Sequence, residues 1–134
     1  MLPIWVRNYI GIPYLKNGRD RYKGLDCWGL VRCVLHEQFN LTLPSYEVIY
    51  DEEKHFSDLP ALININRDLI KNIPVEVPET GDIVLIRTRG LLSHIGIYVG
   101  EDFVLHIERT KNSIIEKLSS TRINKRIEGY YRVL

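Results

Sequence analysis

The sequence predicts an α+β fold on three observations. A helical apolar stripe occupies residues 26–39, the hydrophobic period changes to two beyond Gly81-Asp82, and the strand-like runs that follow are short and turn-linked. Helical segments first and closely spaced strands later suit an antiparallel sheet rather than a parallel one. With 134 residues, 45% hydrophobic and 26% charged, the chain is expected to form a single domain, 1–134, around one core. No internal repeat or low-complexity tract divides it.

The helix is read from Asp26 to Phe39. Leu30, Val31, Val34 and Leu35 recur at helical spacing, Arg32, His36 and Glu37 point elsewhere, and Asp26 stands where an N-cap belongs. Gly29 weakens helix propensity but permits close backbone approach. "NLTLPSYEVIYDEEKHF" reads as a loop with an extended part. "SDLPALININRDLIKN" reads as a weaker helix, and the two prolines and Gly-Asp of "IPVEVPETGD" break regular structure. Strands are then expected in "DIVLIRT", "SHIGIYVG", "DFVLHIE", "NSIIEKL" and "EGYYRVL".

Charge excludes more than it suggests. Eighteen Lys and Arg against 17 Asp and Glu leave a net charge of +1, which gives no general electrostatic argument for nucleic acid or an anionic membrane, so no nucleic-acid partner is expected. No run approaches the roughly 18 apolar residues of a membrane span. The N-terminal stretch, with Pro3, Arg7 and Asn8, lacks the basic and apolar regions of a secretion signal, so cytoplasmic synthesis and no membrane insertion are expected. Cys27 and Cys33 on one helix would lie about 9 Å apart along its axis, beyond disulfide reach, so both should be free thiols.

Chemistry concentrates in three residues. Alternation puts His94, Gly96 and Tyr98 on one strand face and Val104, His106 and Glu108 on one face of the next. A hairpin centred on Gly100 or Glu101 makes the two histidines direct or diagonal neighbours, whereas a two-residue loop would separate them. Cys27, at the first helical turn, meets the positive end of the helix dipole and stands ahead of the apolar stripe, where it is expected to be reachable. A nearby imidazolium would further favour the thiolate. His94 fits as the base and His106 as the residue that orients it, while the backbone N–H of Cys27 and the Tyr14 hydroxyl could hold an oxyanion. Cys33 is read as a buried or boundary thiol, His36 and His55 as surface residues, and "RDRYK" as a solvated loop. Cysteine and histidine are zinc-ligand types, yet no close ligand pair appears, so neither metal nor cofactor is expected.

The blocks "GIPYLKNGRDRYKGLDCWGLV", "PETGDIVLI", "SHIGIYVG" and "FVLHIE" resemble the ordered motifs of the NlpC-type peptidases (the NlpC and P-sixty superfamily), papain-like enzymes of the bacterial cell wall. The resemblance implies a papain-like NlpC-type fold, in which the helix bearing Cys27 packs on an antiparallel sheet bearing two histidines. It implies a cysteine peptidase or amidase that hydrolyses amide bonds in peptidoglycan stem peptides through Cys27, His94 and His106, with Tyr14 beside the thiol. Asp26 and the residue after the cysteine hold the substrate's free amino end in wall-recycling members. That residue is Trp28 here instead of the family's serine, as an aromatic wall of the substrate groove or as a core anchor. "DCWGLVR", "LPSYEVIYDEE" and "INKRIEGYYRVL" are closest to the phage tail-tip branch, which implies tail-tip proteins as partners and a virion tail as the site of action. The alternatives are a catalytically silent structural tail component and a thiol acyltransferase of the related lipid-handling branch.

Overall fold

The structure, a computed structural model, describes residues 1–45, 72–88 and 91–134. The expected weaker helix, the extended segment from Tyr46 onward and His55 lie outside them. Among the described residues, helix α1 spans Cys27–Phe39 and eight strands form two antiparallel sheets. A two-stranded ribbon joins β1 (Arg19–Asp20) to β2 (Gly24–Leu25). The larger sheet contains β3 (Asn72–Val75), β4 (Ile83–Thr88), β5 (Leu91–Gly100), β6 (Phe103–His106), β7 (Ile114–Lys117) and β8 (Ile127–Val133), in the order β3-β8-β4-β5-β6-β7. This is the α+β arrangement the sequence suggests. Among the described residues no helix is long and apolar enough to cross a membrane.

Helix α1 begins where its capping chemistry places it. The Asp26 carboxylate accepts the Gly29 N–H at 2.7 Å, and Asn40, left-handed at φ 55°, closes the C-terminal end. Leu30, Val31, Val34 and Leu35 are buried, in a cluster with Ile83, Leu85, Ile95, Ile97, Val99, Leu105 and Ile107 of the sheet. Each such side chain withdrawn from water contributes about 1.5–3 kcal/mol. A second, smaller cluster of Val84, Ile86, Val104, Leu118 and Ile123 covers the other sheet face.

Two segments differ from their sequence reading. "IPVEVPETGD" does not break all regular structure, because Asn72–Val75 pairs with β8 as strand β3. Its place at the sheet edge explains the tolerance: Pro74 lacks an N–H, which matters little on a strand with a neighbour on one side only. "RDRYK" is not wholly a solvated loop either. Its first two residues form β1, and the Arg19 side chain is only 7% exposed.

Candidate active site

The β5–β6 hairpin sets the positions of both histidines. Glu101 and Asp102 both have positive φ, as a two-residue turn of the I′ type requires, and Gly100 pairs with Phe103. That turn alone would put the histidines out of step. A bulge between Tyr98 and Gly100 restores the other register, so that Tyr98 pairs with Val104 and Ile97 with Leu105, the pairing of a hairpin centred on Glu101. His94 and His106 thereby become diagonal neighbours, and His94 Nε2 lies 2.8 Å from His106 Nδ1. Gly96 keeps the space between them open. A Cβ there would stand 2.7 Å from Val104 Cγ2 and 3.1 Å from His106 Cβ.

His106 has a second partner that the sequence reading did not single out. Its Nε2 lies 2.9 Å from Oε1 of Glu116 on β7. Arg122 grips the same carboxylate twice, through Nε at 2.6 Å and Nη2 at 2.5 Å, and also pairs with Glu108. The pattern signal for Glu116 was present in "NSIIEKL", where a charge sits within a strand-like run, but the partner strand was needed to aim it. His106, Glu108 and Glu116 bring three metal-type donors together. The Arg122 guanidinium pairs with both carboxylates and so offsets one of their two negative charges.

Burial decides the protonation of this chain. Loss of solvent lowers the pKa of His94, and the neighbouring His106 lowers it further. His106 is also lowered, by burial first, against the raising influence of Glu116. The Arg122 hydrogen bond holds Glu116 down to about 2. At neutral pH the cluster is therefore two neutral imidazoles leading to an ionised carboxylate. With both rings lowered by burial, the imidazolium expected to stabilise a resting thiolate is disfavoured, since charging a buried ring is costly.

Cys27 occupies the first turn of α1, as expected, but it is only 1% exposed and packs in the core cluster with Leu25, Trp28 and Leu30. The expected reachability is not found, because Cys27 is enclosed in the core cluster. Tyr14 forms a parallel bridge with Leu25, two residues before the thiol, and is half-buried. The helix packs on the sheet face of Ile95 and Ile97. His94, paired with Ile86, projects with Val84 and Val104 on the other face. Its Nε2 faces His106 Nδ1.

Asp26 and Trp28 flank the thiol and are both fully buried. Asp26 receives Arg19 Nη1 at 2.7 Å, and Arg19 Nε donates to the Ser45 carbonyl at 2.7 Å. Burial nevertheless raises the Asp26 pKa, outweighing the Arg19 charge and the Gly29 bond. Trp28 donates its indole N–H to the Pro44 carbonyl at 2.8 Å and takes the core-anchor role of its two expected roles, since none of its ring is exposed. Cys33 is partly buried, and burial pushes its thiol up to about 11, with Glu37 adding to the shift. His36 is exposed, as expected. A cavity of about 350 Å³ is lined by Arg19, Arg32, Cys33, His36 and Glu37 among others, and Cys27, His94 and His106 are not among the described residues that line it.

Residues 11–132 match the pattern of the NlpC/P60 family. The chain is 29% identical over 124 residues to an Escherichia coli K12 protein described as murein DD-endopeptidase MepS/murein LD-carboxypeptidase, covering 92% of this chain and 57% of that one. It is 33% identical over 108 residues to a probable endopeptidase of Haemophilus influenzae, covering 79% of this chain and 56% of the relative. A crystal structure of an NlpC/P60 family protein from Bacillus cereus superposes with a TM-score of 0.67 at 19% identity, over 100% of this chain and 41% of that one, which shows the shared fold. The chain thus spans little more than half the length of these curated relatives.

Proposed function

We propose, from the premise that this chain belongs to the NlpC/P60 family, that it is a cysteine hydrolase cutting amide bonds in the peptide stems of peptidoglycan. The observation that carries the reading is the 2.8 Å contact between His94 and His106, on the sheet that α1 and its Cys27 pack against. The endopeptidase names of the relatives support the substrate class.

The neutral His94 acts as general base, through Nδ1, since Nε2 is engaged with His106. As it takes the thiol proton, Cys27 Sγ attacks the scissile carbonyl. The backbone N–H of Cys27 and the Tyr14 hydroxyl meet the developing oxyanion. The imidazolium returns its proton to the leaving amine as the C–N bond breaks, leaving a thioester. Water, deprotonated by His94, then releases the acid and restores the thiol. The step requires a rearrangement that brings the thiol, at the N-terminal turn of α1, to Nδ1 of His94, which alternation along β5 places on the sheet face away from Ile95 and Ile97. Asp26 is assigned to the amino end of the stem peptide by its resemblance to the family's wall-recycling members. The sequence blocks shared with the tail-tip branch support synthesis in the cytoplasm and action from a phage or prophage tail, together with tail proteins.

Cys27→Ala and His94→Ala should each abolish the release of new amino groups from purified peptidoglycan, whereas His106→Ala should lower the rate and leave a remainder. Wild-type activity in Cys27→Ala would remove the mechanism. Mass spectrometry of the released muropeptides identifies the bond. The 1% exposure of Cys27 favours a second reading, a silent structural tail component, which requires a thiol unreactive toward iodoacetamide at pH 7 and an intact wall.

A further inference from the structure

We propose that Glu116, clamped by Arg122, is a positioning residue that sets the tautomer of both histidines and so leaves Nδ1 of His94 as the free base. The inference rests on the catalytic reading of His94 given above, and it assigns a role to a strand, β7, that contributes none of the three proposed catalytic residues.

The direction of the hydrogen-bond chain follows from donor counting. An ionised carboxylate only accepts, so the contact at 2.9 Å requires a hydrogen on His106 Nε2. A neutral imidazole carries one N–H, which leaves His106 Nδ1 as an acceptor. The contact at 2.8 Å then requires a hydrogen on His94 Nε2, and the lone pair of His94 remains on Nδ1. Without the carboxylate the same two rings could hydrogen-bond with the opposite polarity. His106 would then donate through Nδ1, His94 Nε2 would accept, and His94 Nδ1 would carry the proton it is meant to receive.

Arg122 makes Glu116 dependable in this role. Its Nε faces Oε2 at 2.6 Å and its Nη2 faces Oε1 at 2.5 Å, a two-point grip that orients the carboxylate and keeps it ionised. Glu108 pairs with the same guanidinium, through the Nη2 that also faces Glu116 Oε1. The strand register contributes as well: Glu116 pairs with Val104, so it emerges on the face His106 occupies.

The test is a long-range proton–nitrogen NMR correlation of the histidine rings at pH 7 on the full chain, which distinguishes Nδ1–H from Nε2–H and needs no substrate. The wild type should show both His94 and His106 as Nε2–H. Glu116→Gln, which keeps the shape but can also donate, and Glu116→Ala should both show mixed tautomers. Where the wild type digests peptidoglycan, these variants should lose about tenfold or more in kcat with KM unchanged. A purely structural Glu116 would lower the melting temperature and leave the tautomers as in the wild type. That result in both variants, or Nδ1–H on His94 in the wild type, overturns the proposal. An inactive wild type with the expected tautomers would count against the hydrolase reading alone.

Discussion

The thiol end of α1 and the histidine face of the sheet hold their reactive groups by different means. Cys27 is placed by its neighbours in sequence. The Asp26 cap, the bare Gly29 and the Trp28 anchor fix the first turn, and a loop only a few residues upstream closes over it. The Gly18 carbonyl would lie 2.1 Å from a Cβ on Gly29. The histidines are placed by pairing across three strands, and their hydrogen-bond chain ends on a carboxylate and a guanidinium outside the hairpin. The contrast teaches that a thiol can be positioned by one capped helix, whereas a pair of hydrogen-bonded imidazoles needs a sheet.

The largest effect should come from disturbing the thiol end. Arg19→Ala leaves the fully buried Asp26 carboxylate without its cation and should cost about 3–5 kcal/mol in denaturant unfolding, with little change in the histidine NMR signals. A loss below about 1 kcal/mol would mean that solvent reaches Asp26.

Gly96→Ala should strike the other region. Its Cβ would stand 2.7 Å from Val104 Cγ2 and 3.0 Å from the Leu105 carbonyl, so about 1–3 kcal/mol should be lost and the His94–His106 contact loosened. Urea melts and the ring nitrogen shifts read the two effects separately.

Acid should weaken the histidine face selectively. The folded pKa of His94 is pushed down from 6.5 to about 3, so the unfolded chain binds the proton first. The stability of keeping the ring neutral is complete above pH 6.5 and is lost as the pH falls toward 3. Glu116, held down from 4.5 to about 2, adds loss in the same direction below pH 4.5. A melting-temperature profile should therefore fall on acidification, and His94→Gln should flatten its upper part, between 6.5 and 4.5.

The smallest effect is expected at Trp28. Trp28→Phe removes the donor to the Pro44 carbonyl and should cost about 1 kcal/mol, with the pattern of released muropeptides unchanged. A changed product pattern would restore Trp28 to the substrate groove.

The comparison also separates what was legible from what was not. The α1 boundaries and its Asp26 cap were readable because each depends on residues within a turn or two, whereas the close approach at Gly29 comes from the Gly18 carbonyl, outside the helix. The hairpin was readable as an alternative between registers. Its choice was not, because the bulge beside Gly100 combines a two-residue turn with the even pairing, and no local pattern announces that combination. The burial of Arg19 was hidden by a run of charges that reads as solvated until Asp26 is placed beneath it. Strand β3 was hidden by its prolines, which an edge position tolerates.

By itself, the sequence determined the α+β class, the capped helix with a cysteine at its first turn, the two histidines on like faces of adjacent strands, and the family resemblance those blocks carry. These are consequences of local geometry and of spacing along the chain. Only the tertiary structure decided that Cys27 and Trp28 are buried, that burial disfavours the charged form of both histidines, and that Glu116 and Arg122 terminate their hydrogen-bond chain. Burial and long-range pairing depend on which surfaces meet, and residues ten to a hundred positions apart in the chain acquire those relations only when the sheet closes.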